Sequence, residues 1–487
     1  MARRRIGPVS YDTYRQRVRR HRRTDLLVAV AALNTRLHRA EFGEEPDLGL
    51  PNVVQPFTLA GVARTALVAG NDHRDPSVTL GDLIEMCAYY ANVDEPTFDR
   101  EPGRDRLRFV FNHMAYEQFG HQYSAMENVG RTLVLLADHA AGKPKAPSPE
   151  DWTAALGVSL EQFMRLGFAM HVAALSNGGS IDREVLKMDH VAPVFTPLAP
   201  DEAVDVIDRW FADSPEHLRA AGAAEEAPGV EKWSLSPLVA RPVVALPEGR
   251  YVMPWPRLVL DRITPTGLYF IGLELFGESF PDSLGAMFQD YIGSQLDLLE
   301  HAEVRSEIIY GKSNERTVDY FVITREVVLL LEVKAARPIR ATRLGEPLGD
   351  EDTAKKVGHA LTQIERTARL LRDGHPALAA IPTDRPVRGL VVTLEPFHLV
   401  NTNFYDDVFE RPSIPTTVTS SHELEGAIAV LREADDLGAR LLDALTPVDG
   451  AVTSLNHATK TLPNSPNPLL DKAWRRFSEP WGDGSDP

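Results

Sequence analysis

The chain has little of what several common classes of protein require. Its 487 residues include one cysteine, Cys87, which excludes a disulfide framework and a cysteine-rich zinc module. No apolar run reaches the roughly 18 residues that a membrane-spanning helix needs, so no membrane contact is expected. The apolar run 26–33 follows a basic stretch, but it is short and Asp25 directly precedes it, which favours a buried helix over a secretion signal. These features predict a cytoplasmic protein.

Positive charge is also scarce. Lysine and arginine total 52 against 69 acidic residues, which gives a formal net charge of −17 and argues against a general polyanion binder. Two local basic groups stand out from this background. They are Arg3, Arg4, Arg5, Arg15, Arg17, Arg19, Arg20, Arg22 and Arg23 at the N-terminus, and Arg337, Arg340 and Arg343 further on. Each group is either a solvated surface or a phosphate-contacting one.

Length and apolar periodicity predict more than one domain. Residues 1–230 indicate a mainly helical domain, because apolar residues recur there at three- and four-residue spacing. Residues 231–275 indicate a small β-rich connector, and residues 276–446 alternate between strand and helix patterns. Residues 447–487 contain many Pro, Asn, Ser and Gly residues and are expected to be poorly ordered. The helical domain would select a substrate or a protein partner.

Two adjacent apolar, β-branched segments, 317–324 and 327–334, predict a hairpin with a two-residue turn. That turn would pair residues whose numbers sum to 651, so that Asp319 lies opposite Glu332, about 5 Å away on the same face. Lys334 projects from this face too. Two carboxylates at this separation suit a hard cation such as Mg²⁺, and the amine could orient a water molecule. A slip of one residue would break the pairing.

The spacing Asp319–x12–Glu332–Val333–Lys334 resembles the core motif of the PD-(D/E)xK nuclease superfamily. Flanking segments agree in order: a helix over 284–296, the hairpin, a helix over 355–371 that carries Gln363, and a strand over 387–394. The resemblance covers roughly residues 280–430. It implies a restriction-endonuclease-like α/β domain, with a mixed central sheet flanked by helices, preceded by the mainly helical domain.

The resemblance also implies an activity, namely hydrolysis of phosphodiester bonds in DNA, dependent on Mg²⁺ or Mn²⁺, in a defence or repair system. Asp319, Glu332 and the carbonyl of Val333 would bind the metal. Lys334 would position water or stabilise developing charge, and Gln363 would support it. The family's first helix commonly carries a glutamate where this chain has Gln289, and a neutral amide is a weaker ligand for a second metal.

Other polar residues leave two interpretations open. Lys356 and Arg366 share a helical face with Gln363, and they are either phosphate contacts or part of a solvated face, as are Arg337 and Arg340. The spacing of His113, Glu117 and His121 is compatible with a metal stripe but is more typical of an ordinary helix face. Glu332 and Lys334 could also form a structural ion pair. The protein would then be a non-catalytic module that binds nucleic acid or protein, or a scaffold.

Overall fold

The structure is a computed structural model that describes residues 7–74, 77–94, 104–118, 124–143, 145–188, 191, 195, 198–226, 229–339, 342–343, 347–448 and 453–481. Within these ranges, no helix combines the length and the apolar character that crossing a membrane requires.

Helices occur along the whole chain. They are α1 (Tyr11–Val18), α2 (Arg23–Glu41), α3 (Pro56–Ala69), α4 (Leu80–Ala91), α5 (Arg104–Gln118), α6 (Ala125–Leu133), α7 (Pro149–Leu156), α8 (Leu160–Ser176), α9 (Pro200–Trp210), α10 (Pro215–Ala224), α11 (Arg257–Asp261), α12 (Pro265–Phe276), α13 (Ser279–Leu296), α14 (Pro347–Thr353), α15 (His359–Arg372), α16 (Ser421–Leu431), α17 (Leu437–Ala444), α18 (Asn456–Thr459) and α19 (Pro468–Ser478). A wide π-helical segment, Val134–Asp138, follows α6, and another, Ala354–Gly358, connects α14 to α15.

The strands are shorter. They are β1 (Ser180–Asp182), β2 (Ala212–Asp213), β3 (Val243–Ala245), β4 (Arg250–Val252), β5 (Glu303–Ser306), β6 (Ile309–Tyr310), β7 (Glu315–Arg316), β8 (Tyr320–Ile323), β9 (Val328–Lys334), β10 (Val387–Thr393) and β11 (Thr416–Ser420). Together with the helices they give a mixed α/β protein, with helices dominating the N-terminal half and a mixed sheet in the C-terminal half. The predicted fold class is confirmed to this level.

The chain forms two compact units, each described separately. The first comprises Met1–Asp99, Ser148–Leu275 and Phe477–Pro487. Helices α1 to α4 pack around a core that includes Leu27, Leu59 and the buried Cys87. A four-stranded sheet in the order β1-β4-β3-β2 accompanies the helices. Its β3–β4 hairpin is antiparallel, and Gly249 in the turn has φ +85°, which favours glycine.

The second unit comprises Arg100–Pro147 and Phe276–Arg476. Its sheet has the order β11-β10-β9-β8-β5. Strands β5, β8 and β9 pair antiparallel, whereas β9, β10 and β11 pair parallel. The three parallel strands therefore end at the same edge, where Lys334, Thr393 and Ser420 stand in register. That edge carries the polar end of the predicted hairpin.

The two faces of this sheet have different neighbours. On one face, Phe321 and Leu330 belong to a core that includes Ile364 and Leu361 of α15. On the other face, the Tyr320 hydroxyl donates to the carbonyl of Gln289 in α13 at 3.0 Å. Since side chains alternate along a strand, Asp319 shares the face of Phe321 and therefore the side of α15.

Several boundaries differ from the sequence-based expectations. Residues 100–147, expected in the N-terminal helical domain, belong to the second unit. The span 420–445, expected as one helix, contains the separate helices α16 and α17, and β11 precedes them. The region expected to be a poorly ordered tail, 447–487, includes α19, whose Phe477 is fully buried. Tail composition did not reveal this helix because its few apolar residues are concentrated on one side.

Candidate active site

The predicted hairpin register is confirmed. Tyr320 pairs with Leu331 and Ile323 with Val328, so the paired numbers sum to 651, and the turn lies between Thr324 and Val327, whose backbones are hydrogen-bonded at 3.0 Å. Both strands are buried on both faces, so the two-residue turn, rather than an apolar alternation, sets this register. Asp319, just before β8, and Glu332 on β9 are thereby brought together.

Asp319 is held in place by backbone contacts. The N–H of Val333 donates to its Oδ2 at 2.7 Å. The N–H of the preceding residue, Val318, donates to Oγ1 of Thr367 in α15 at 3.1 Å. The start of β8 is therefore tied both to the neighbouring strand and to the covering helix, and the carboxylate has little freedom to turn away from Glu332.

Lys334 and Gln363 complete the cluster. The ammonium of Lys334 donates to Glu332 Oε1 at 2.6 Å and to Gln363 Oε1 at 3.1 Å. The structure thus brings together Asp319, Glu332, Lys334 and Gln363, four residues that sequence analysis selected. These contacts also agree with a purely structural ion pair, which remains the alternative interpretation.

Burial makes the negative charge at this site costly. Glu332 is 1% exposed, and burial, followed by the charge of Asp319, raises the pKa of its carboxyl to about 8 despite the opposing effect of Lys334. Burial likewise raises the pKa of Asp319, although the Val333 N–H and Lys334 act in the opposite direction. In a group this buried, a positive charge in addition to Lys334 would favour the ionised form.

The available donors fit a hard cation. Oε2 of Glu332 is buried and has no hydrogen-bond partner in the described part of the chain, which is unusual for a carboxylate oxygen. The Val333 N–H points toward Asp319, and in a strand the carbonyl of the same residue points to the same side. Asp319, Glu332 and the Val333 carbonyl therefore offer the oxygen ligands that Mg²⁺ and Mn²⁺ prefer.

The protein's own ligand set is small. Within the described residues, no three His, Cys, Asp or Glu side chains form a group that could hold a metal ion. Mg²⁺ is commonly bound by one or two carboxylates, with water and substrate phosphate supplying the remaining ligands. A site with two carboxylates is therefore sufficient for a cation that is shared with a phosphate.

Gln289 lies on another side of the sheet from the carboxylates. Its backbone carbonyl accepts from Tyr320, whose side chain alternates away from the face of Asp319. Asp290 forms an ion pair with Lys143 at 2.5 Å. The contacts of α13 thus do not bring Gln289 into the cluster of Asp319 and Lys334.

The basic residues proposed to contact phosphate already have partners within the protein. Lys356 donates to Asp352 at 2.9 Å and to the carbonyl of Arg337 at 3.3 Å. Arg366 forms an ion pair with Glu315 and lies over the ring of Tyr310. Phosphate contact by these groups would require an exchange of partners.

Helix geometry explains why Lys356 and Gln363 have different surroundings. The seven-residue spacing aligns side chains only in a regular α-helix, whereas Lys356 belongs to the π-helical segment Ala354–Gly358, which changes the phase. Two further predictions fall partly outside the described residues. They concern Arg340, and the His113–Glu117–His121 stripe, of which His121 and the side chain of Glu117 are not described.

Sequence analysis missed a buried polar network in this unit. Arg131 of α6 donates to both oxygens of Glu425 in α16, at 2.7 and 2.5 Å, and the Tyr291 hydroxyl of α13 donates to Oε1 of Glu425 at 2.6 Å. The available signal was a charged residue within each of two apolar helical patterns. Glu307 was also missed: its charge contributes to the raised pKa of Asp319, and no spacing rule pointed to it.

Comparison with known proteins gives no independent guide to the identity of this site. No protein-family model, curated protein or solved structure matches the chain.

Proposed function

We propose that the second unit is a metal-dependent nuclease of the restriction-endonuclease-like type that hydrolyses phosphodiester bonds, with DNA as its substrate. The observation that carries the proposal is the cluster of Asp319, Glu332 and Lys334 around an unpartnered, buried carboxylate oxygen. The order of α13, the β8–β9 hairpin, α15 and β10, on a mixed sheet, supports the proposed fold.

Each residue has a defined task in this proposal. Asp319, Glu332 and the Val333 carbonyl would hold Mg²⁺ or Mn²⁺, which supplies Lewis-acid polarisation of the phosphate and a lowered pKa for water. Lys334 would move from Glu332 Oε1 toward the reacting phosphate or water, since its ammonium carries three donors. Gln363, through its contact with Lys334, would hold that ammonium at the end of β9.

The surroundings of the cluster support catalysis by fixed charges. Strand β9 is buried over Val328–Val333, so Glu332 sits on a packed strand, and Asp319, just before β8, is held to that strand by the Val333 N–H. Low exposure strengthens electrostatic interactions with a bound phosphate. The acidic net charge of −17 opposes nucleic-acid binding at long range, so local positive charge and the metal would have to supply the attraction.

One observation favours a second candidate, a module that binds nucleic acid without cutting it. Lys334 is already satisfied by Glu332 and Gln363, so the cluster can exist as a closed structural pair. In that case DNA affinity would fall with salt, and no cutting would accompany it.

Cleavage assays with matched variants distinguish these candidates. Wild type, Glu332→Ala and Glu303→Ala would be incubated with circular, linear and single-stranded DNA and with RNA, in Mg²⁺, Mn²⁺ or EDTA. Glu303 lies on the edge strand of the same sheet and is exposed, so its variant controls for the loss of a carboxylate.

The proposal expects cutting that requires metal, persists in Glu303→Ala and disappears in Glu332→Ala. Binding of DNA or RNA without any cutting, in Mg²⁺ and in Mn²⁺, would favour the non-catalytic module. Absence of both cutting and calorimetric metal binding in the wild type would remove the catalytic assignment.

A further inference from the structure

Six of the N-terminal arginines lie within the described residues, and they separate into two classes; Arg3, Arg4 and Arg5 lie outside the described residues. Four of them are neutralised within the first unit: Arg15 pairs with Asp12, Arg17 with Glu85, Arg22 with Asp25, and Arg23 with both Asp72 and Glu216. Arg19 and Arg20 differ, because no carboxylate of the described residues forms an ion pair with either of them. The sequence alone gives no means of making this distinction.

The two unpaired arginines are joined by a third from a distant part of the sequence. Arg19, Arg20 and Arg74 line one open depression of about 510 Å³, together with Gln16. Arg74, like the other two, is exposed and has no acidic partner in the described chain. Three guanidinium groups that form no ion pair with a described carboxylate thus line one surface of a chain whose net charge is −17.

Specific contacts attach the residues just before Arg74 to the start of α2. The N–H of Arg23 donates to the carbonyl of Asn71 at 3.0 Å, and the N–H of Thr24 donates to Asp72 Oδ1 at 2.9 Å. The segment 71–74 is therefore attached to the start of α2. Because Asp72 is engaged by Arg23 and Thr24, the nearest carboxylate of this segment does not neutralise the depression.

A role in helix stability accounts for only part of the cluster. Arg19 and Arg20 follow the C-terminus of α1, where positive side chains offset the helix dipole. Arg74 belongs to no helix. An effect on the helix dipole therefore does not explain why Arg74 lies beside Arg19 and Arg20. Like charges on one surface repel each other, and a bound anion would relieve the repulsion.

We propose that this depression, lined by Gln16, Arg19, Arg20 and Arg74, binds the phosphate backbone of nucleic acid. The choice of nucleic acid rests on the proposed nuclease function, whereas the preference for phosphate rests on the arginines themselves, since guanidinium groups match phosphate oxygens. A membrane surface fits less well, because all four lining residues are polar and none could insert into lipid.

Binding measurements with two matched triple variants test the proposal. The first variant combines Arg19→Ala, Arg20→Ala and Arg74→Ala. The control combines Arg15→Ala, Arg22→Ala and Arg39→Ala; Arg22 is exposed, Arg15 and Arg39 are half-buried, and all three already have acidic partners. Both variants lose three positive charges from the first unit and therefore have the same net charge. Long-range electrostatic repulsion between the protein and DNA is therefore increased equally in both.

The assay is fluorescence anisotropy with a labelled 24-base-pair duplex in EDTA, over a range of KCl concentrations. Three lost phosphate contacts should reduce the slope of log K against log salt by about 2.7, and should weaken binding on the order of a hundredfold at 0.1 M salt. The control should stay within about threefold of the wild type. Thermal denaturation verifies that both variants are folded.

The outcomes separate this proposal from the nuclease assignment. The proposal that the depression binds phosphate would be overturned if DNA affinity fell equally in both triple variants. It would also be overturned if the wild type bound neither duplex nor single-stranded DNA. Binding to phosphatidylserine vesicles in place of DNA would assign it to lipid instead and would also overturn the proposal. A wild type that binds DNA through these arginines but never cuts it would reject the nuclease function and leave the depression established.

Discussion

Replacing Glu332 with glutamine should change how the stability of the metal-free protein depends on pH. Burial, with the charge of Asp319, raises the pKa of Glu332 from 4.5 to about 8 in the folded protein. When the folded-state pKa lies above the unfolded-state value, the group's contribution to stability is fully present below pH 4.5 and is lost as the pH rises to about 8. Glutamine does not titrate, so the variant lacks this loss.

The expected size of the effect follows from the two pKa values. Each pH unit between them costs about 1.36 kcal/mol, so the wild type should lose about 4 kcal/mol relative to Glu332→Gln between pH 5 and pH 9. Because Glu332 is 1% exposed, solvent screens this cost little. Groups that do not interact with Glu332 cancel in the difference between the two proteins, whereas its coupling to Asp319 and Lys334 is part of the measured effect.

Urea denaturation in EDTA at pH 5, 7 and 9 measures this difference. The control is Glu303→Gln, which removes an exposed carboxylate from the same sheet and leaves the cluster of Asp319, Glu332 and Lys334 unchanged. Saturating Mg²⁺ at pH 9 should stabilise the wild type and leave Glu332→Gln almost unchanged. A wild-type-to-Glu332→Gln difference that varies by less than about 1 kcal/mol from pH 5 to pH 9 would refute the argument that burial opposes ionisation of Glu332.

Three further substitutions test individual contacts. Asp319→Asn should lower Mg²⁺ affinity in calorimetry by at least the roughly 10- to 100-fold that loss of an outer-shell partner costs, and unchanged affinity would exclude Asp319 as a ligand. Gln363→Leu should slow cutting about 10- to 100-fold while metal affinity is kept; a parallel loss of metal binding would instead indicate that the site has collapsed. Arg131→Met should lower the free energy of unfolding by about 3–5 kcal/mol, because Glu425 is left buried without its partner. Adding Glu425→Leu to that variant should recover most of the loss, and a double variant as unstable as the single one would contradict the ion-pair explanation.

The hairpin could be predicted because local rules specify it completely. A two-residue turn between two apolar segments determines which residues face each other, and a slip of one residue would no longer place Asp319 opposite Glu332. The pairing of Asp319 with Glu332, and the projection of Lys334 from the same face, follow from that register alone. Gln363 was selected through the resemblance to the nuclease superfamily rather than by a local rule, and in the structure α15 covers the face that carries Phe321 and Leu330.

The remaining features depend on long-range contacts that no local pattern encodes. Residues 100–147 show the same helical periodicity of apolar residues as the segments before and after them, yet they belong to the second unit. There Arg131 donates a hydrogen bond to Glu425, which is 294 residues away in the sequence. The π-helical segment that contains Lys356 was not predicted, because sequence periodicity does not reveal such a segment. Which N-terminal arginines form ion pairs depends on residues distant in sequence, such as Glu216, the partner of Arg23. Likewise, Arg74 lies beside Arg19 and Arg20 only in the folded chain.

The position of Glu332 bears on the choice between catalysis and mere structure. At the end of a strand buried over Val328–Val333, its carboxylate is destabilising unless it is compensated, and Lys334 compensates only one of its oxygens. A glutamine or an apolar residue at position 332 would be buried there with a smaller loss of folding free energy. Replacing a buried ion pair with neutral groups is often stabilising. Proteins tolerate such costs chiefly where activity requires them. The burial that raises the pKa of Glu332 therefore also favours the metal-binding proposal over a structural ion pair.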